Sequence, residues 1–286
     1  MRRLSPRKRV RAKEMSTETS GKMLPARLPA LLYHRVGPLA DRSDASLSAL
    51  PGKFERQVRW LVRRGYRGIC PSDWHAWRKG EGSLPEKPVV LTFDDGYADL
   101  AVHALPVLAR HGFGAAVFIV TSQIGGTNLW DQGAGRAAHK LMSAAEIRAW
   151  SARGIEFGSH TRTHRSLKGL SKSELEGEIA GSRRDLEAIL DRPVRCFAYP
   201  YGDYDRAAVE WARREFDLAF SIEEGLNTRA TDPWLMLRSQ VIPDETRFDF
   251  FWRVRFGWSP LHHLRRKVGL RTRLRKAMRL VLVRGS

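Results

Sequence analysis

Two adjacent carboxylates close the run Leu91-Thr92-Phe93-Asp94-Asp95-Gly96, and two imidazoles lie in Gly158-Ser159-His160-Thr161-Arg162-Thr163-His164. Neighbouring carboxylates at the end of an apolar stretch repel each other unless a cation sits between them. A lone aspartate there reads as a cap for the following helix, a reading that the pair weakens. Neutral imidazole is the commonest metal ligand. An H-x-x-x-H spacing can bring two rings to one ion, although the spacing alone recurs by chance. Joined to one of the two carboxylates, the rings make a His₂–carboxylate set that leaves a position for water, which is the arrangement of a catalytic zinc site. The other carboxylate is then free to act as a base.

Such groups must be delivered by separate elements. Short apolar runs alternate with helical patterns along the chain, the signature of βα units. Strands are predicted at Ala30–Val36, Pro88–Asp95, Ala115–Thr121, Ile155–His160, Cys196–Pro200, Leu218–Ile222 and Leu237–Ile242. Helices fall between them: one whose apolar face is Phe54, Val58, Leu61 and Val62, one from about Ala98 to Arg110, and one from Asp205 to Glu215. Ser143 with Glu146, and Ser171 with Glu174, form capping boxes that open two more. A polar loop runs to about Leu141. This order predicts an α/β fold, a distorted (β/α)7-type barrel, more readily than two separate domains. Asp94-Asp95, His160 and Tyr199-Pro200-Tyr201 all fall at carboxyl ends of predicted strands, the rim where active sites gather in parallel α/β architectures.

The 286 residues carry a formal net charge of +19, which at first suggests a nucleic-acid binder. The charge is concentrated at the ends. Seven Lys or Arg lie within Met1–Lys13 and nine within Arg265–Ser286, with no acid in either, so the 50 bases and 31 acids of the whole chain leave 34 against 31 between them. We therefore divide the chain into a basic arm (1–27), a catalytic domain (28–258) and a basic C-terminal tail (259–286), and expect no specific nucleic acid as partner. The arm has no apolar stretch behind it of the kind a secretory signal needs. Two cysteines, Cys70 and Cys196, do not make a disulfide framework. Both points favour the cytoplasm. In the tail, Leu270, Leu274, Ala277, Met278 and Val281 alternate with basic residues as in an amphipathic helix that lies on an anionic membrane, here the inner membrane face. The competing reading is a helix packed on the barrel with a solvated basic face.

The motifs resemble those of the polysaccharide deacetylases, carbohydrate esterase family 4 with the NodB homology domain. T-F-D-D-G is present as Thr92–Gly96 and H-[S/T]-x-x-H as His160–His164; Tyr33-His34-Arg35-Val36 and Phe197–Gly202 (FAYPYG) are similar to one subgroup, and the similarity runs from about Leu31 to about Asp244. The resemblance implies the fold of that family and a divalent metal, zinc above all with cobalt or nickel as substitutes, held by Asp95, His160 and His164. It implies Asp94 as catalytic base, and Pro200-Tyr201 at the substrate, with the Tyr201 backbone N–H holding the oxyanion. The implied activity is hydrolysis of the N-acetyl group of a sugar in a polysaccharide or a lipid-linked glycan precursor, as in exopolysaccharide biosynthesis.

Departures from the family pattern raise further candidates. Ala198 stands where many members have an Arg paired with the catalytic aspartate, and Arg238 is the candidate replacement; a buried core strand is the alternative account of it. Leu261-His262-His263 formally matches the late L-x-H motif that supplies the general acid, but opens the basic tail with no apolar strand before it. His34, at the end of the first strand, is the better candidate acid, against a core histidine bonded to backbone. Trp130, with Asp131, could cover a sugar ring or simply pack its loop. O-deacetylation or small-amide hydrolysis would use the same metal chemistry. A non-catalytic glycan- or membrane-binding module is a third reading, against which the retained D-D-G and H-T-x-x-H speak.

Overall fold

The structure, a computed structural model, describes residues 27–39, 47–132, 137–243, 245–260 and 264. The first apolar run forms β1 (Leu28–Tyr33) and β2 (Arg35–Val36), with His34 at the break between them. β3 (Ser48–Ala49), α1 (Pro51–Arg63), β4 (Arg67–Gly68) and α2 (Pro71–Lys79) follow. Proline starts both helices, at a position where the missing N–H has no intrahelical partner to lose. β5 (Pro88–Phe93) leads into α3 (Asp99–His103) and α4 (Leu105–Arg110). The single helix expected from Ala98 to Arg110 is thus broken at Ala104, because Pro106 cannot bond back to the preceding turn.

Beyond β6 (Ala116–Ile119), the stretch that reads as loop contains a 3₁₀ turn at Thr121–Gln123 and the short α5 (Leu129–Gln132). α6 (Ala144–Ser151) opens on the Ser143/Glu146 capping box, and β7 (Glu156–Ser159) follows it. α7 (Lys172–Leu175) opens on the Ser171/Glu174 box, widens into a π turn at Glu176–Ala180 and continues as α8 (Gly181–Leu190). The rest of the fold is β8 (Cys196–Ala198), α9 (Arg206–Glu215), β9 (Leu218–Phe220), β10 (Leu226–Asn227), β11 (Ser239–Gln240) and α10 (Arg247–Phe256).

The main sheet runs β10-β1-β5-β6-β7-β8-β9, parallel except for β10. Its two ends are joined by one segment. Met236 bridges to Phe220 of β9, and three residues later β11 pairs in parallel with β1. The sheet therefore curls into a distorted barrel whose last seam is a few residues wide.

Side-chain parity sorts each strand into two cores. Leu28, Ala30, Val90, Ala116, Phe118, Cys196, Ala198, Leu218, Phe220 and Met236 pack with one another as one cluster, the lining of the curled sheet. Alternate residues, among them Leu31, Tyr33, Leu91, Phe93, Val117, Phe157 and Phe197, pack beneath the helices. Continued one step past each strand, the inner parity reaches His34, Asp94 and His160. The residues expected to do chemistry therefore extend the inner rows.

Candidate metal and catalytic centre

Asp95, His160 and His164 are all buried, and each offers one ligand atom within 4.8 Å of the other two. Nε2 of His164 lies 3.1 Å, and Nε2 of His160 3.5 Å, from Oδ1 of Asp95. Yet that oxygen has no hydrogen-bond partner, so the three atoms face a common point without bonding to one another. A buried, unpaired carboxylate oxygen is costly and calls for a cation. In a tetrahedral zinc set with bonds of about 2 Å, neighbouring donor atoms lie about 3.3 Å apart, so the spacing fits. The donor chemistry fits as well. Burial pushes His160 down to about 4, which keeps the ring neutral, and its Nδ1–H donates to the Ala198 carbonyl at 2.8 Å. That bond turns the Nε2 lone pair toward the site, the usual outer support of a ligating histidine. Burial alone would raise the Asp95 carboxyl, but the His164, His34 and His160 rings hold it below the ordinary carboxylate range.

Asp94 is placed differently. Its two oxygens accept from the Arg238 guanidinium at 2.6 and 3.0 Å, and Arg238 is itself fully buried between the rings of Phe118 and Phe220. The same guanidinium donates to the Ser221 carbonyl and to Thr92 Oγ1, so its orientation is fixed on three sides. Burial opposes ionisation of Asp94, yet Arg238 and His160 pull its carboxyl below the usual value. One aspartate is thus paired with arginine and the other faces two imidazoles, with His160 Nε2 4.0 Å from Asp94 Oδ2 between them.

Backbone strain is concentrated here. Of the five non-glycine residues with positive φ among the described residues, Asp95, Thr161, His164 and Tyr201 belong to the site, and only Asp191, at the end of α8, does not. Left-handed conformations cost energy that surrounding contacts must offset. Gly96, also left-handed, permits the turn after Asp95; a Cβ there would lie 2.6 Å from Ile119. For His160–His164, the offset comes from the π turn. Glu178 accepts from the Arg162 and Thr163 backbone N–H groups and from the Thr163 hydroxyl, at 3.0, 3.0 and 2.6 Å.

Among the other candidates, His34 is partly exposed and near enough for its charge to act on both aspartates. Pro200 is buried and Tyr201 is 54% exposed, with its ring edge-on to His164 at 4.6 Å. His263 and all of the tail but Ser259, Pro260 and Leu264 lie outside the described residues; Ser259 is buried and bonded to Asp249 of α10. Trp130 stacks on His164 at 4.6 Å, carried there by α5. Tyr97 donates to buried Asp131 at 3.4 Å and feels the Asp95 charge, which ties α5 to the candidate metal ligands. Arg35 connects the same region through Asp99 and His139. Glu178 and Tyr97 had no sequence signal, since both read as ordinary positions in helical or turn patterns. The W-D pair was the single hint for Trp130. Cys196 is a buried core residue whose thiol burial pushes up.

The profile of the polysaccharide deacetylase family matches residues 81–216, which contain both aspartates and both histidines. The chain is 28% identical over 221 residues to YxkH of Bacillus subtilis, which bears a polysaccharide deacetylase name, covering 77% of this chain and 73% of that protein. It is 25% identical to the poly-beta-1,6-N-acetyl-D-glucosamine N-deacetylase of Staphylococcus epidermidis, over 75% of this chain and 79% of that one. Among solved structures, IcaB from Ammonifex degensii superposes with a TM-score of 0.64 at 26% identity, covering 76% of this chain and 93% of IcaB. Sequence profile, curled barrel and three converging donor atoms agree in making this chain similar to the polysaccharide deacetylases.

Proposed function

We propose that this protein removes the N-acetyl group from N-acetylhexosamine units of a polysaccharide or of its lipid-linked precursor. One observation carries the reading: beside three converging donor atoms, a fourth ionisable group, Asp94, is kept charged by a buried arginine and out of the ligand set. A binding module has no need of such a base. Relatives named for poly-beta-1,6-N-acetyl-D-glucosamine favour an N-acetylglucosamine polymer as the substrate class.

Asp95, His160 and His164 would hold a divalent ion, zinc by donor type. When bound, such an ion supplies Lewis acidity toward the acetamide carbonyl and toward water. Asp94 takes the proton from water as its oxygen forms the new bond to the acetamide carbon. Arg238 keeps Asp94 ionised and fixes its plane. The Tyr201 N–H steadies the developing oxyanion. His34 gives a proton to the nitrogen as the carbon–nitrogen bond breaks, so that acetate and a free sugar amine leave.

The test is acetate release from β-1,4- and β-1,6-linked N-acetylglucosamine oligomers by zinc- or cobalt-loaded protein. Release that disappears in Asp94→Asn is expected. Loaded protein that is silent across both linkages, yet cleaves acetyl esters, would reassign the bond.

A further inference from the structure

A second surface, built on α1 and α10 and lined by none of the candidate metal ligands, carries chemistry that the proposed deacetylation does not use. α1 presents Arg56, Arg59 and Arg63 along one exposed face, at the three- and four-residue spacing that aligns helix neighbours. Together with Arg247 at the start of α10, they border a cavity of about 680 Å³ floored by Trp60 and Phe250, whose rings meet edge-on at 5.6 Å. None of the four arginines makes an ion pair with a described acid. Beside this cluster, Phe248, Trp252 and Phe256 form a ridge along α10 at four-residue intervals, and Trp258 extends it. Phe248 and Phe256 on the helix are 48 and 39% exposed, and Trp258, just past its end, is 40% exposed. Arg255, exposed, lies over the Phe256 ring.

We infer that the α1–α10 face docks on an anionic lipid bilayer, the aromatic ridge entering the headgroup layer while the arginines pair with lipid phosphates. The complementarity selects the occupant. Aromatic rings and arginine are the side chains that settle at the boundary between water and hydrocarbon. A second copy of this face would set arginines against arginines. The C-terminal segment from Arg265 to Ser286, with nine basic residues and no acid, carries the same sign and does not fit the cluster either. A soluble polyanion would satisfy the arginines and leave the ridge in water.

The experiment is co-sedimentation of the full chain with phosphatidylcholine vesicles, with and without about one-third phosphatidylglycerol. Two variants are compared, Arg56→Gln/Arg59→Gln/Arg63→Gln and Phe248→Ser/Trp258→Ser, each with circular dichroism and melting to show that the fold is kept. Binding to the anionic vesicles alone is expected, weakened on the order of a hundredfold by the arginine triple and at least tenfold by the aromatic pair. Binding that neither variant changes would assign attraction to the tail alone and overturn the inference. So would a loss confined to the arginine triple and matched by an equal loss on heparin, which would mark a polyanion site. Partition is read without any substrate, so the result stands apart from the outcome of the acetate assay.

Discussion

Asp94 and Asp95 are the same residue type, one peptide bond apart, and their surroundings divide the work between them. Arg238 takes one, and two imidazoles take the other. Asp95→Asn is therefore expected to lose the metal, whereas Asp94→Asn should retain it and lower kcat by on the order of 10²–10⁴. Metal content by mass spectrometry, read beside kcat, separates the two; equal metal loss in both variants would contradict the division. Arg238 supports a second expectation. Its replacement by Met strands a buried carboxylate, which costs about 3–5 kcal/mol of stability, and adding Asp94→Asn should restore much of that. Urea unfolding of the single and double variants measures the coupling. At this scale the ligand set is legible in the sequence, because T-F-D-D-G and H-T-R-T-H are local patterns. The partner of Asp94 lies 144 residues further on, and the sequence offers Arg238 only as a candidate for a charge absent at Ala198.

Elements that hold the site are legible where their chemistry is local. S-x-x-E capping boxes give the starts of α6 and α7, and alternation of inner and outer residues gives the strands that end at Asp94 and His160. A helix interrupted by Pro106 and a helix buried in a polar loop, α5, are not given by pattern. In each case a local break or a tertiary contact decides over periodicity. Neither is the π turn, which depends on one extra residue per turn and leaves no compositional trace. Glu178 on that turn nevertheless holds the loop of both histidines. Replacing it with Ala removes the acceptor of two backbone N–H groups and one hydroxyl. Metal affinity should fall by about 10–100-fold with secondary structure unchanged, as for other groups that orient ligands from behind. Competition against a chromophoric chelator is the measurement, and an unaltered affinity would show that the left-handed His164 needs no such support.

For the whole molecule, the acid-sensitive point is the metal-free state. His160 sits near 4 in the folded chain against about 6.5 when unfolded, so the native state binds fewer protons between those values. Stability of the chelator-treated protein should be fully present above pH 6.5 and fall as the pH drops toward 4, by about 3 kcal/mol from this group. Urea midpoints across that range test the sign; a flat profile would mean the ring is already protonated. The narrow seam at Met236–Gln240 has a consequence of another kind. Joining the first strand to the ninth also sets Arg238 against Asp94, so closure of the barrel and pairing of the proposed base are a single event. During synthesis, the polypeptide will have left the ribosome carrying both histidines and both aspartates well before that event can occur. On the proposed roles, a nascent chain would own all three candidate ligands while its base still lacked its arginine, and its chemistry would begin only once the last strand had arrived.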